Sequence, residues 1–559
     1  MSRLRLTPPS QVARQRRRAV LRVAAAVATG GLLAAAFPGP DLGPVAFVAL
    51  VPLLLVLLAA DGVRARHAAA LGYLAGCTFL GLHLLWIAQF LAWTGAVAWL
   101  AWGALTAVEA LFVAAFFALV PATRRLGAWR LLVLPCCWAA IELARAHLPI
   151  GGFPWGMLAL SQHRGGPLLP LARVVGGPGL AAVIVAVNLA LAAWLRLLAA
   201  GGRWPARRLA AAAAWPALAA ALACAGLLAP APPPPAGPAL DLVVVQGGQR
   251  GGHGLALGAT TEAVFANHLR MTEALAAGPA PDLVIWGEGA VDEDPLSSPP
   301  RLAALARAAA AARAPLLVGA TTVADQRHLA TDALEFAPDG RLASRYRKRR
   351  LVPFGEYVPW GSVLGRLVPA TREGVPVDKL PGRTLRPLPV DGVQVGTLIC
   401  WESAYPEDAR TLARAGAGVL VVLTNNASFG DGPGSRQHLA TSQLRAVEEG
   451  RTVVHAAVTG ISAIVGPDGV ARQRTGLYTQ ATVRASVVPR TGLTVYGRFG
   501  FLVDAGLVGV AMLGVLWALA GVGRSGPRSP LRGRAVAANG APSGIRSLSQ
   551  SAGRSKERI

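Results

Sequence analysis

The chain has 559 residues, 53% of them hydrophobic and only 15% charged, with a formal net charge of +25. That length allows two or more domains, and that composition excludes an ordinary soluble protein, in which about a quarter of residues are charged. The excess of positive charge does not make a nucleic-acid face: residues 231–499 hold 27 Lys and Arg against 23 Asp and Glu, so nearly all of it lies in the apolar flanks.

In chain order, apolar windows fall at 22–36, 43–60, 68–90, 95–120, 129–147, 177–199, 208–229 and 501–522. A helix of about 20 residues crosses a hydrocarbon core of roughly 30 Å. The windows therefore predict seven spans before a long middle region and one after it. Basic residues occupy every second loop. Arg3, Arg5, Arg14, Arg16, Arg17, Arg18 and Arg22 precede the first span, Arg64 and Arg66 follow the second, and Arg124, Arg125 and Arg130 follow the fourth. Arg203, Arg207 and Arg208 follow the sixth, and a tail from Arg524 to Arg558 follows the eighth. Cytoplasmic loops carry such an excess, so both termini are expected inside and the middle region outside. A basic start followed by an apolar segment also fits a cleaved signal peptide, but removing the first span would break the alternation, and an uncleaved span is the reading adopted.

This divides the chain into a basic cytoplasmic N-terminus (1–21), a seven-span membrane domain (22–229), a Pro-rich linker (230–239), a folded domain (240–499), a final span (500–522) and a basic tail (523–559). The tail has the Gly, Ser, Pro and Arg content of a disordered segment. Within or near the spans lie Glu109, Glu142, Asn188 and Asp504; Glu142 and Arg145, at i and i+3, are expected to pair.

After the stiff linker PAPPPPAGP the pattern changes to short β-rich runs separated by helical stretches. DLVVVQ (241–246), DLVIWGE (282–288), APLLVGATTV (314–323), VQVGTLIC (393–400) and GVLVVLTNN (418–426) read as buried strands, and 261–277, 299–313 and 435–449 as helices. Hairpins are expected at Pro338, Asp339 and Gly340 and at Gly466 to Gly469. Strands alternating with helices make this an α/β domain.

Cys77, Cys136, Cys137 and Cys224 fall in the predicted spans, which leaves Cys400 alone in the middle region, without a partner for a disulfide within its own domain. It is either a small core residue or a reactive thiol. Three polar groups stand at strand ends or just beyond them: Glu288 after DLVIWG, Lys348 in RYRKRRLVPFGEYVP, and Cys400. Sites in open α/β sheets collect at strand ends. A carboxylate can take a thiol's proton and an ammonium can stabilise the oxyanion formed when a carbonyl is attacked, so the three suffice for acyl transfer. Each also has an ordinary reading: Cys400 as core packing, Lys348 as one member of a solvated basic run, Glu288 as a surface carboxylate.

Their order and surroundings favour the chemical reading. WGE, then YRKRRLVPFGEYVP, then ICWE resembles the nitrilase (carbon–nitrogen hydrolase) superfamily. LVPFGEYVP, with apolar spans on both sides, is more closely similar to the bacterial apolipoprotein N-acyltransferase family. VVVQGG, TNNASFGD, RQHLATSQLRAVEEGR, GYLAGCTFLGLHLLWI and GGFPWGMLALSQ extend the resemblance over nearly the whole chain. It implies a polytopic α-helical membrane domain with an extracytoplasmic α/β nitrilase-like domain, an αββα sandwich. It further implies Glu288 as general base, Lys348 as oxyanion stabiliser and Cys400 as nucleophile, with Glu356, Trp401 and Glu402 in support. Phe153, Trp155, Asn425 and Phe429 are candidate lipid or substrate contacts.

The implied reaction moves an acyl group from a membrane phospholipid, through a Cys400 thioester, to the α-amine of a diacylglyceryl apolipoprotein. It takes place at the bacterial inner membrane, with a monomer expected and neither cofactor nor metal. The sequence departs from the family at Gly287, where a proline is usual, and in TNNASF, where Asn426 and Ser428 replace an aspartate and a tryptophan. Two alternatives stay open: a membrane-tethered amidase using the same three residues on a soluble C–N substrate, and a non-catalytic module in which Cys400 is core.

Overall fold

The structure is a computed structural model that describes residues 9–59, 63–200, 206–248 and 256–523; residues 1–8, the loop carrying Arg203 and the basic tail from 524 lie outside the described residues. The first part is all helical: α1 (Pro9–Ala35), α2 (Val51–Ala59), α3 (Ala65–His83), α4 (Leu85–Phe90), α5 (Ala96–Ala122), α6 (Arg130–Arg145), α7 (Ala172–Ala199) and α8 (Ala206–Ala223). Among the described residues, four stretches, Ala13–Ala35, Ala96–Arg145, Leu169–Ala199 and Val495–Ala520, are long and apolar enough to cross a membrane. The expected window 68–90 is broken at Leu84 into α3 and α4, and α1 begins at Pro9, so the arginines from Arg14 to Arg22 continue the apolar helix rather than precede it. α3 and α5 approach closely because glycines face the contact: a Cβ on Gly72 would lie 2.7 Å from Phe117 Cβ.

Polar groups inside this bundle are used to fix backbone. Arg145 Nη1 bonds Glu109 Oε2 at 3.1 Å and the carbonyls of Phe153 (3.2 Å) and Trp155 (2.8 Å), while Glu142 Oε1 accepts from Leu158 N at 2.8 Å. The expected Glu142–Arg145 pair does not form, because both side chains turn to the non-helical stretch 151–157 and the N–H of Leu158 that follows it, whose backbone groups lack helical partners. Asn188 Oδ1 accepts from Leu50 N at 2.8 Å, and its Nδ2 donates to Ala46 O at 2.9 Å, tying α7 to the start of α2.

Among the described residues the second part holds twelve strands: β1 (Leu240–Gly247), β2 (Leu283–Trp286), β3 (Leu316–Val323), β4 (Leu329–Phe336), β5 (Leu342–Arg347), β6 (Leu388–Val390), β7 (Val393–Ile399), β8 (Val419–Thr424), β9 (Val453–Ala457), β10 (Ala463–Val465), β11 (Ala471–Arg472) and β12 (Gln480–Val487). Its helices are α9 (Ala256–Glu273), α10 (Pro299–Ala312), α11 (Gly361–Leu367), α12 (Ala370–Gly374), α13 (Pro406–Arg414) and α14 (Gly434–Glu449), and α15 (Val495–Gly523) follows. Two six-stranded sheets form, ordered β12-β1-β2-β3-β4-β5 and β11-β10-β9-β8-β7-β6. Each has three parallel strands at its centre and antiparallel strands at its margins.

Alternation along β1 shows the layering. Leu242 and Val244 join the core between the sheets with Ile285, Ile399 and Val421, whereas Val243 and Val245 face outward to Phe265, Leu305 and Ala308 of α9 and α10. α13 and α14 cover the second sheet, so the domain is an αββα sandwich. The central strands read as unbroken apolar runs because they are buried on both faces. α14 in turn packs against the membrane domain: Leu444 and Val447 share a core with Leu158, Leu180 and Trp155.

Candidate active site

β2, β5 and β7 deliver the three expected groups to one place. Lys348, the residue after β5, is buried, and its Nζ lies 2.8 Å from Glu288 Oε1 and 2.9 Å from Glu356 Oε2. Burial opposes a charge on Lys348, but Glu288 and Glu356 outweigh it and hold its pKa well above the ordinary lysine value. Burial likewise works against the Glu356 carboxylate, yet Lys348 and Lys379 hold it below the usual range. Glu356 is fixed further by the Thr331 hydroxyl (3.0 Å) and Val352 N (2.9 Å). Among the described residues no hydrogen bond reaches Glu288 Oε2, which leaves that oxygen able to take a proton.

The neighbouring arginines, which make Lys348 look solvated in the sequence, point elsewhere. Arg347 Nε meets Asp332 at 3.0 Å and Arg345 pairs with the same carboxylate, both from the face of β5 opposite Tyr346. Arg350 binds Asp408 and Glu407 beyond the strand.

Cys400 closes β7 with φ +51, a left-handed conformation that a non-glycine residue adopts only when its surroundings hold it there. Glu402 does much of that holding: Oε2 accepts from Ile399 N at 2.7 Å, and Oε1 accepts from Tyr346 OH at 2.7 Å, Arg349 N at 2.6 Å and Arg350 N at 3.3 Å. One carboxylate thus fastens the turn at Cys400 to the strand end that carries Lys348. Burial raises Glu402 to about 7 against those hydrogen bonds. Burial also pushes the Cys400 thiol up, with Glu288 adding to the effect and Lys348 opposing it. The resting sulfur is therefore protonated, and a base beside it has a proton to remove.

Aromatic side chains from both domains roof the site. Trp155 stacks on Trp401 with centroids 5.5 Å apart and planes 7° from parallel, Phe153 lies 5.3 Å from Trp401, and Phe429 meets Trp86 edge-on at 4.6 Å. Trp155 Nε1 donates to Gln437 Oε1 at 2.6 Å, and Gln437 Nε2 donates to His83 O at 3.2 Å. Trp155, expected as a lipid or substrate contact, is 2% exposed and meets the site through the face of Trp401. Phe153, Asn425 and Phe429 are half-buried; the Asn425 amide lies against the Gly289 turn just after Glu288. Gly287 sits at a close approach: a Cβ there would lie 2.6 Å from Thr424 O and 2.7 Å from Val458 N, so the close meeting of β2 with β8 and β9 requires glycine.

Sequence reasoning missed Ser403, Thr424, Gln437 and His438. Ser403 Oγ donates to Cys400 O at 2.9 Å, and His438 Nε2 lies 3.0 Å from the same carbonyl. The segment RQHLATSQLRAVEE is rich in polar residues, yet nearly all of it is buried between the second sheet and the membrane domain.

Paired sheets with outer helices and a Glu–Lys–Cys cluster at their strand ends define a carbon–nitrogen hydrolase domain, and the carbon–nitrogen hydrolase family model matches residues 244–491. The model for the apolipoprotein N-acyltransferase N-terminal domain matches residues 29–190. The chain is 31% identical to the apolipoprotein N-acyltransferase of Geobacter metallireducens over 85% of its own length and 91% of the relative's, and 33% identical to that of Gloeobacter violaceus over 92% and 97%. It belongs to the apolipoprotein N-acyltransferase family. Among solved structures, an amidase from Nesterenkonia sp. AN1 aligns at 17% identity and a TM-score of 0.34, covering 47% of this chain and 98% of the amidase.

Proposed function

We propose that this protein transfers a fatty acyl group from a membrane phospholipid to the α-amine of the N-terminal diacylglyceryl-cysteine of apolipoproteins, by a ping-pong route through a Cys400 thioester. The observation that carries this reading is Lys348 Nζ held between Glu288 and Glu356 at 2.8 and 2.9 Å, at the strand ends that also present Cys400. Glu288 takes the thiol proton as sulfur attacks the ester carbonyl, and the Lys348 ammonium meets the oxyanion. Collapse breaks the carbonyl–oxygen bond, and the proton passes from Glu288 to the departing glycerol oxygen, giving a lysophospholipid. In the second half, the acceptor amine attacks the thioester, Glu288 receives its proton, and the thiol is restored as the C–S bond breaks.

The aromatic roof and the apolar helices beneath it supply the lipid-facing setting that a phospholipid donor needs. The alternating basic loops support a catalytic domain on the extracytoplasmic face of the bacterial inner membrane, with both termini inside. Mass spectrometry of the protein incubated with phospholipid tests the first half. An acyl-sized, hydroxylamine-labile adduct on the Cys400 peptide, absent in Cys400→Ala, is expected. Its absence on a reduced, accessible Cys400 overturns the lipid-donor reading and moves amide hydrolysis forward.

A further inference from the structure

The site sets two carboxylates around one buried ammonium, and the second carboxylate has a cation of its own that the proposed chemistry does not use. Lys379 Nζ donates to Thr331 Oγ1 at 2.8 Å and lies 3.5 Å from Glu356 Oε1. The Thr331 hydroxyl proton is then free for Glu356 Oε1, which it reaches at 3.0 Å. On the far side of the same carboxylate, Oε2 meets Lys348 Nζ at 2.9 Å. The order ammonium, hydroxyl, carboxylate, ammonium thus has a donor facing an acceptor at every contact.

Backbone bonds hold Lys379 in register with both of its neighbours in the site. Its own N–H donates to Glu356 O at 2.8 Å, Leu380 N to Leu329 O at 2.8 Å, and Gly382 N to Lys348 O at 2.8 Å. Thr331, on β4, links the same two residues, since its carbonyl accepts from Lys348 N at 2.9 Å. Other charged groups face this corner. Asp378, beside Lys379 in the chain, is occupied by Arg372 at 2.8 Å and by Val358 N at 3.0 Å. The Lys379 charge also reaches Asp292, on the exposed loop that follows Glu288.

Glu356 is buried, and burial works against its charge, so without Lys379 the single Lys348 ammonium would have to balance two carboxylates. A protonated Glu356 would leave Glu288 as the one charged partner of Lys348 among the described residues. The ammonium would then close on the group that has to take the thiol proton. We propose that Lys379 is a positioning residue: through its contacts with Thr331 and Glu356 it supplies the second positive charge of the site and so holds Lys348 between the two glutamates. The inference rests on the Glu288, Lys348 and Cys400 roles proposed above.

The test follows single-turnover formation of the Cys400 acyl adduct from phospholipid, by mass spectrometry between about pH 4 and about pH 8, in full-length protein in detergent. It compares wild type with Lys379→Met, Lys379→Arg, Glu356→Gln and the Lys379→Met/Glu356→Gln double variant, with the unfolding midpoint of each. Removing a unit charge 3.5 Å from Glu356, at the partly exposed edge of the site, raises the pH at which that carboxylate protonates by about one to two units. The acid-side fall in rate should therefore start higher in Lys379→Met. Adduct formation is expected about 3- to 10-fold slower than wild type at about pH 4.5 and within about twofold at about pH 8. Lys379→Arg keeps the charge and should follow the wild-type profile within about half a unit. The midpoint of Lys379→Met should lie below wild type at about pH 7, where Glu356 is ionised, and the gap should narrow at about pH 4.5 as Glu356 takes a proton. In the Glu356→Gln background, Lys379→Met should shift neither the rate profile nor the midpoint.

One pH profile shared by wild type and Lys379→Met overturns the inference. A loss that Lys379→Arg shows equally reduces the effect to packing and also overturns it, as does an undiminished effect of Lys379→Met in the Glu356→Gln background. If Lys379→Met does not fold, Lys379→Gln, which keeps a donor for Thr331 without the charge, carries the same expectation and decides. A wild type that forms no adduct at any pH sinks the thioester reading and this inference together, whereas adduct formation insensitive to the Lys379 variants sinks only the inference.

Discussion

Replacing Glu402 with glutamine is the sharpest perturbation of the frame around Cys400, because it changes hydrogen-bonding sense with almost no change in shape. Every neighbour of this carboxylate is a donor: Ile399 N on Oε2, and Tyr346 OH, Arg349 N and Arg350 N on Oε1. A glutamine keeps at best the three bonds on one side, and its NH2 then opposes Ile399 N–H across a gap that is now 2.7 Å. The loss is one charge-assisted bond plus one buried unsatisfied donor, together about 3 kcal/mol. At about 2–4 °C per kcal/mol for a domain of this size, the unfolding midpoint of the catalytic domain should fall by about 6–12 °C, read by tryptophan fluorescence in detergent. Acyl transfer should fall further than stability alone explains, because Ile399 N–H is the anchor immediately before the left-handed Cys400. A midpoint within about 1 °C of wild type, with unchanged turnover, would refute the view that Glu402 fastens the two strand ends together.

Lys348→Met leaves the buried Glu356 carboxylate and the half-buried Glu288 carboxylate together without their shared cation. It should abolish activity and cost about 3–5 kcal/mol, and adding Glu356→Gln should restore part of the stability and none of the activity; both are read from melting curves beside turnover. Trp155→Phe keeps an aromatic ring on Trp401 but removes the donor to Gln437, and it should lower stability by about 1 kcal/mol while reducing turnover. Turnover equal to wild type would show that the seating of Trp401 by the membrane domain is irrelevant to rate. Burial, with Glu448 adding to it, raises Glu449 from 4.5 to about 8, and neither of its oxygens accepts a hydrogen bond among the described residues. Its folded pKa exceeds its unfolded one, so the stability it contributes is fully present below about pH 4.5 and is lost as the pH rises through about 8. Glu449→Gln should therefore melt above wild type at pH 9 and flatten the dependence of the midpoint on pH between 5 and 8; unchanged curves would contradict the buried, unpartnered carboxylate.

The strands that position the site were legible because they are buried on both faces: LVIW and VLVVLT can be little else. β12 was not read, although Ala481, Val483, Ala485 and Val487 alternate with Gln480, Thr482, Arg484 and Ser486; its small residues carry a weak signal, and its pairing with β1 lies far along the chain. Lys348 could be singled out only by its motif, since its composition is that of a solvated run. What separates it from Arg345 and Arg347 is the period-two geometry of β5, which turns Tyr346 and Lys348 to one face and the arginines to Asp332 on the other. Polar residues of α14 escaped notice because burial of a polar helix depends on partners from distant segments. Gln443, for example, donates to His163 O and Gly469 O, and no local pattern announces such partners. The burial of Trp155 was not legible, because its loop is drawn inward by Arg145, whose guanidinium binds two of the loop's carbonyls.

The central claim is that Cys400 carries an acyl group between two lipid substrates, and a single-turnover chase tests it most directly. Enzyme loaded with an isotopically labelled acyl chain from phospholipid is freed of donor and then mixed with a diacylglyceryl-cysteine peptide whose α-amine is either free or acetylated. The account predicts that the label leaves Cys400 and appears as an amide on the free-amine peptide, while the enzyme mixed with the acetylated peptide keeps its adduct for far longer. Loss of the label to water at the same rate in both mixtures, with free fatty acid as the product, would contradict the account and make the enzyme a hydrolase.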